Sequence, residues 1–270
     1  MKRIIILSAA ALSIFLVVLA VMRGPNTESL RGAALASSET LFAGTQVAQL
    51  LDGGALEQAE RPVVVELYTS QGCYSCPPAD DLLGELADIP NLVALSFHVD
   101  YWDYIGWKDE YALPGNSDRQ RDYARALKHR FVYTPQMVID GATHVVGSRR
   151  GQVLETIESI AEDQNESGVT VDISGGKVRV SGGQAPDGDA TVWMAVYDRE
   201  KTSDITRGEN AGKKLAYHNV VREFRKLGSW DGDAAEFALS ITDPESHDGC
   251  AIIIQHGETG RVIAAADMTL

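Results

Sequence analysis

The stretch Val63-Val64-Val65-Glu66-Leu67-Tyr68-Thr69-Ser70-Gln71-Gly72-Cys73-Tyr74-Ser75-Cys76-Pro77-Pro78 decides the reading of this chain. Residues 63–68 are a β-rich apolar run with one acid inside it, and a continuous apolar run suggests a strand covered on both faces. Residues 69–72 read as a turn. After Pro78, Ala79, Leu82, Leu83, Leu86 and Ala87 recur at the spacing of one helix face, with Asp80, Asp81 and Glu85 on the other. A C-x-x-C therefore stands where a strand gives way to a helix, and its sulfurs are close enough in sequence to bridge. A helix N-terminus offers unpaired N–H groups and partial positive charge, which favour thiolate at the first cysteine. Cys76 shares the helix face of Ala79 and Leu83 and is expected to lean into the core, with Cys73 at the open end. Cys73 is thus read as the attacking thiolate and Cys76 as the resolving thiol. Pro77 and Pro78 qualify this, because proline is tolerated only in the first helical turn. A helix that begins nearer Cys76 favours thiolate at Cys73 less. An inert structural disulfide and a metal-binding pair are the competing readings.

Working outward, residues 91–99 form a second strand. Ser117-Asp118-Arg119-Gln120 fits a capping box, after which Tyr123, Leu127 and Phe131 line a helix face. Residues 134–141 read as a strand running into an Asp-Gly turn, with 143–146 as its hairpin partner and 152–161 as a further helix. Residues 163–168 are polar and look like a linker. Beyond them the periodicity changes to two, and about seven short strands separated by Gly-rich turns suggest a β-sandwich. The expected organisation is an α/β domain over 61–162, then an all-β sandwich-like domain over 169–270.

The N-terminus reads as an address. Met1-Lys2-Arg3 precedes an almost wholly apolar run over residues 4–22, long for a signal-peptide core and close to the ~20 residues that span a bilayer. Residues 1–36 fit either a cleaved signal peptide or an N-terminal membrane anchor, and 37–60 a tether with a short helix near 46–51. Either way the rest of the chain is expected outside the inner membrane, periplasmic or secreted. Lys2, Arg3, Arg23 and Arg31 against Glu28 give this leader a net +3, so the whole-chain charge of −14 leaves −17 on the remainder. That acidity argues against nucleic-acid binding, and a mean hydropathy of −0.11 excludes a polytopic membrane protein.

The motifs resemble the thioredoxin-like superfamily. Residues 63–68 followed by Cys73-x-x-Cys76 look like its strand and active-site turn, and Thr134-Pro135 looks like its cis-proline loop. V-V-E-L-Y-T-S-Q-G-C-x-S-C-P-P-A-D, F-H-V-D-Y-W-D and Y-T-P-Q-M-V together are similar to an uncharacterised family of secreted bacterial thioredoxin-like proteins, from about residue 61 to the C-terminus. The resemblance implies a thioredoxin-like α/β fold and thiol–disulfide chemistry without a cofactor. It also implies that a buried acid near Glu66 moves the resolving thiol's proton, and that Thr134, beside a cis-Pro135, pairs with an extended substrate segment. Tyr74-Ser75 matches neither Gly-Pro nor Pro-His, so no analogy sets the redox poise.

Other residues are expected near the sulfurs. His98, Asp100 and Asp103 follow the second strand, at the same sheet edge as the C-x-x-C turn. They could tune the thiols, cap a loop, or, with Cys73, Cys76 and His98, complete a soft-metal site. Tyr101 and Trp102, with Tyr104 and Trp107, could wall a substrate groove or fill a satellite core. Arg207-Gly208-Glu209-Asn210 and His218-Asn219-Val220-Val221-Arg222 form the densest polar cluster of the second half, read as a turn network packing on the first domain. Cys250 opens an apolar strand and is read as a buried bystander. The functional expectation is an exported thiol–disulfide oxidoreductase whose partner is a protein thiol or disulfide. The alternatives are a copper- or zinc-binding protein and a non-catalytic binding module.

Overall fold

The structure, a computed structural model, describes residues 54–164, 167–183 and 188–270. The apolar run 4–22, the leader 1–36 and the tether helix expected near 46–51 lie outside the described residues. Among the described residues no helix is long and apolar enough to cross a membrane.

A short helix α1 (Ala55–Gln58) leads into β1 (Val63–Thr69), α2 (Pro77–Ala87) and β2 (Leu92–His98). Then come a 3-10 turn (Asp103–Ile105), α3 (Pro114–Ala126), the hairpin β3 (Gln136–Ile139) and β4 (Thr143–Val146), and α4 (Arg150–Glu162). The second half is β5 (Thr170–Ser174), β6 (Lys177–Ser181), β7 (Ala190–Asp204), β8 (Lys214–Trp230), β9 (Ala235–Ala238), β10 (Gly249–His256) and β11 (Val262–Thr269). Eight strands make one mixed sheet in the order β11-β10-β7-β8-β2-β1-β3-β4, and β5-β6-β9 make a small second sheet. β1 and β2 are parallel, from Val63 opposite Leu92 to Thr69 opposite His98. β8 joins the far edge of β2 in parallel at Val220 and Ser96.

This corrects the expected fold. No α/β thioredoxin-like domain followed by a separate β-sandwich forms: the protein is mostly β, with few helices, and one sheet runs through both halves. The reason lies in two strands. The short strands expected near 191–198 and 220–224 are segments of a single long hairpin, 15 and 17 residues in its arms. That hairpin uses the edge of β2 that would otherwise stay open to water. β10 is buried at every position from Gly249 to Gln255, as fits a strand covered on both faces and not a sandwich strand with one wet side.

The pleat of β1 sorts the core. Val63, Val65 and Leu67 face Leu82, Leu83 and Leu86 of α2 and Val153 and Ile157 of α4. Val64 and Tyr68 face the other way, toward Phe97, Tyr123 and Ile253. Glu66 belongs by alternation to this second face. Helix α3 starts at Pro114, one turn before the capping box expected at Ser117, with Leu113 as its uncapped N-cap. The Ser117 hydroxyl donates to Asp100 instead.

Candidate functional site

Cys73 and Cys76 form a disulfide, and both are 0% exposed. The turn is closed by Cys73 N–H donating to Ser70 O (3.1 Å) and Cys76 N–H to Cys73 O (3.3 Å). Cys76 is the N-cap of α2. Pro77 and Pro78 bring no N–H, and the next two donors, Ala79 and Asp80, both point at Cys76 O (2.8 and 3.1 Å). The first turn of the helix therefore commits the donors that were expected to favour thiolate at Cys73. The polar neighbour of Cys73 Sγ is Ser75 Oγ, at 3.5 Å. The tip that meets water is not Cys73 but Tyr74, 66% exposed, together with Ser75.

Two segments far away in sequence hold this turn. The tip of the β7–β8 hairpin lies against it: Asn210 Nδ2 donates to Gln71 O (2.9 Å) and Cys73 O (3.0 Å). Tyr74 N–H donates to Glu209 (3.3 Å), and the Lys213 ammonium sits 4.6 Å from the Tyr74 ring centroid. On another side, a β-carbon at Gly72 would stand 3.1 Å from Ile105 and 3.2 Å from Trp102. Trp102 donates its indole N–H to Thr134 Oγ1 (2.8 Å). The Thr134–Pro135 peptide is cis, and Pro135 O accepts from Gly147 N–H (3.0 Å), which itself abuts Ala79 of α2. Trp102 thus links the C-x-x-C turn to the cis-proline loop.

Below the start of α2 lies a buried polar cluster. Thr69 and His98, the last residues of β1 and β2, and Ser96, two residues before the end of β2, share the α2 side of the sheet with Asp80, which lies one helical turn beyond Cys76. All four are buried. His98 Nδ1 pairs with Asp109 Oδ2 (2.8 Å), and the His98 ring meets Tyr217 and Tyr111 edge-on. Five buried atoms here have no hydrogen-bond partner: Thr69 Oγ1, Asp80 Oδ1, Ser96 Oγ, His98 Nε2 and the Tyr217 hydroxyl. Burial pushes the Asp80 carboxyl well above the usual carboxylate range. Thr69 beside it works the other way, and Asp81 and Asp109 add to the rise. Burial opposes ionisation of Asp109 too, but His98 and the N–H groups of Gln71 and Tyr111 hold it below its ordinary value. Burial, then Asp80 and Asp109, push the Tyr217 phenol up.

The residues expected together at the sulfurs are only partly brought together. Glu66 is on the opposite sheet face. Its carboxylate accepts from Arg119 Nε and Nη2 (both 2.7 Å), Tyr68 (2.9 Å) and Tyr123 (2.6 Å). Arg119 also lies over the rings of Tyr123, Trp193 and Phe224. Asp100 is tied to Ser117 and Tyr101 to Gln120 (3.1 Å), both toward α3. Burial lifts the Tyr101 phenol to about 12. Asp103 accepts from Asp109 N–H (3.1 Å), so it reaches the cluster through the partner of His98. With His98 engaged by Asp109, no described group of three His, Cys, Asp or Glu residues is set to hold a metal ion. Cys250 is buried and free, its thiol pushed up to about 12 by burial. His218 packs on α2, where a β-carbon at Gly84 would stand 2.5 Å from its ring. Asp80, Asp109 and Gln71 are the residues that sequence reasoning missed, whereas Asn210 and His218 belong to the polar cluster expected to pack on the first half of the chain, and they do. Asp80 follows the second cysteine by four, a helical signal that could have found it.

A buried C-x-x-C disulfide at the head of a helix, clamped by a β-hairpin from the far half of one mixed sheet, defines the class of this protein. The chain belongs to the family described as protein of unknown function DUF1223, whose model matches residues 64–255. It is similar to the crystal structure of protein AGR_C_4864 from Agrobacterium tumefaciens, with 33% identity, a TM-score of 0.65, and 77% of this chain and 95% of that one covered. It also shares a fold with HBP35 of Porphyromonas gingivalis, at 12% identity, a TM-score of 0.53, and 78% and 75% coverage of this chain and that one. No curated protein matches the sequence. These comparisons give the family and do not extend membership to the thioredoxin-like superfamily.

Proposed function

We propose that this protein is an exported thiol–disulfide oxidoreductase acting on protein thiols or disulfides through Cys73 and Cys76. The observation that carries the reading is the disulfide at the N-cap of α2, with a buried carboxyl of raised proton affinity, Asp80, one turn further on. In the oxidising direction a partner thiolate attacks Cys73 Sγ. The Cys73–Cys76 bond breaks, a mixed disulfide forms, and the Cys76 sulfur leaves with the electron pair. Asp80 is the proton donor for that leaving sulfur. A second thiolate of the partner then attacks its own sulfur in the mixed disulfide. Cys73 is released, the partner is oxidised by two electrons and the cysteine pair is reduced. The reverse sequence reduces a partner disulfide, and Asp80 then takes the Cys76 proton.

Proton transfer is assigned to Asp80 and not to Glu66, because Glu66 is saturated by Arg119 and two tyrosines on the other face of the sheet. The test is turnover in insulin reduction and in oxidation of a dithiol peptide, with Cys73→Ser inactive and Cys76→Ser accumulating mixed disulfide with the partner. A folded wild-type protein with an intact 73–76 disulfide that turns over no protein substrate in either direction would overturn the reading.

A further inference from the structure

Both sulfurs are buried, so no partner reaches them while their surroundings stay in place. Part of those surroundings is the tip of the β7–β8 hairpin, and it is built as a stiff piece. Gly212 N–H donates to Ile205 O (2.7 Å), Ile205 N–H to Lys213 O (2.9 Å) and Lys213 N–H to Asn210 O (3.1 Å), so the tip carries its own hydrogen bonds. Gly208 and Gly212 take positive φ, 76° and 83°, a conformation other residues rarely adopt. The tip grips the C-x-x-C turn at a few points: Asn210 on two carbonyls, Glu209 on Tyr74 N–H, and Lys213 on the Tyr74 ring. Asn210 is itself fully buried, and its Oδ1 accepts from Lys213 Nζ (2.8 Å).

We propose that this tip is a strap that screens the disulfide, and that Asn210 is its latch, a positioning residue that holds the Cys73 peptide. The two Asn210 N–H groups end on carbonyls of the redox turn itself, Gln71 and Cys73, so releasing them frees the segment that carries the attacked sulfur. Strap and turn part as a unit because the tip's internal bonds are separate from those it makes to the turn. Small thiols then meet a closed site, whereas a protein partner that engages Tyr74, Glu209 and Lys213 replaces the grip and gains access. The bearing on partner choice rests on the oxidoreductase reading; the screening does not.

The experiment measures the rate at which dithiothreitol reduces the 73–76 disulfide in the folded protein, followed by mass-tagging of the freed thiols. Labelling of the buried Cys250 in the same sample serves as an internal clock for general opening. Losing two buried hydrogen bonds corresponds to roughly a 10- to 100-fold shift in a local opening equilibrium. Asn210→Ala is expected to speed reduction by about that factor with Cys250 labelling unchanged. Asn210→Asp is expected to behave alike, since a carboxylate cannot donate to two carbonyls. The paired variant Glu209→Ala/Lys213→Ala, which keeps both Asn210 donor bonds but removes the Lys213 bond to its Oδ1, is expected to show a smaller acceleration and keeps the test open should the Asn210 variants fail to fold. Reduction within twofold of wild type in all variants would overturn the proposal. So would equal acceleration of reduction and Cys250 labelling, which means general loosening. The readout needs no protein substrate, so absence of turnover would count against the oxidoreductase reading alone.

Discussion

Asp80→Asn separates the chemistry from the fold. Asp80 is buried, one carboxyl oxygen lacks a partner, and burial has raised its proton affinity well above that of an ordinary carboxyl. The sign of the pH effect follows. In the unfolded chain the group titrates near the usual ~3.9, while the folded protein keeps the proton to higher pH. Between those limits the native state binds more protons, so stability falls as pH rises through the folded pKa. Asparagine is close to isosteric with the protonated acid and never ionises. Wild type and Asp80→Asn should therefore be about equally stable below pH 4, with the variant gaining as pH rises. A buried polar group without its partner costs about 1–3 kcal/mol. At about 2–4 °C per kcal/mol for a chain of this size, the variant's Tm at pH 8 should exceed wild type by roughly 2–12 °C. The same substitution removes the proposed proton donor of Cys76, a loss on the order of 10²-fold in exchange rate. The assays are thermal unfolding from pH 3 to 9 and stopped-flow reaction with a dithiol peptide. A stability gap that does not change with pH, or a variant less stable than wild type at pH 8, refutes the electrostatic reasoning. A variant stabilised as expected but exchanging at the wild-type rate refutes the catalytic assignment.

Three further outcomes are expected. Arg119→Met strands the Glu66 carboxylate among apolar rings and should cost about 3–5 kcal/mol in urea unfolding. It should leave the 73–76 reduction potential unchanged, and a shift would return Glu66 to the redox chemistry. Gly84→Ala pushes a methyl against the His218 ring and should cost about 1–3 kcal/mol. Combination with His218→Ala should recover most of that loss, and equal destabilisation of single and double variants would deny the contact. Ser75→Ala removes the polar neighbour of Cys73 Sγ and should lower the potential by no more than about 30 mV, since 30 mV already corresponds to about 1.4 kcal/mol in a two-electron couple. A rise would contradict the assigned role.

Much of the candidate site was legible because its signals are local. A strand, a turn and an apolar helix face surround C-x-x-C within 25 residues, and the cysteines do form the disulfide that spacing allowed. What was illegible depends on which face of the sheet a side chain takes and on what arrives from far away. Glu66 reads as a buried acid near the sulfurs, and it is buried, but its partner, Arg119, lies 53 residues on in a helix on the opposite face. Asp80 reads as the solvent side of an amphipathic helix, since nothing nearby in sequence says that β8 will cover that side with Tyr217 and His218. The same omission misdirected the fold. With β8 unpaired, β2 ends the first sheet and the second half must make its own.

The β7–β8 hairpin is thus the one element that decides fold, chemistry and access together. Its middle pairs with β2 through Val220. Its body lays Tyr217 against His98, and its tip brings Asn210 to the C-x-x-C carbonyls. Such coupling has a consequence for stability. A change along β8 that shifts its pairing by one residue turns every side chain to the other face, so it removes the Tyr217 contact and uncovers Asp80. It also carries the tip out of reach of Cys73. A single-residue deletion within Lys214–Val220 should therefore expose the disulfide to dithiothreitol and lower the pH at which Asp80 titrates. A deletion of equal size in the loop after β9 should do neither. If both deletions left the disulfide equally screened, the hairpin would be packing material and not the link between the sheet and the site.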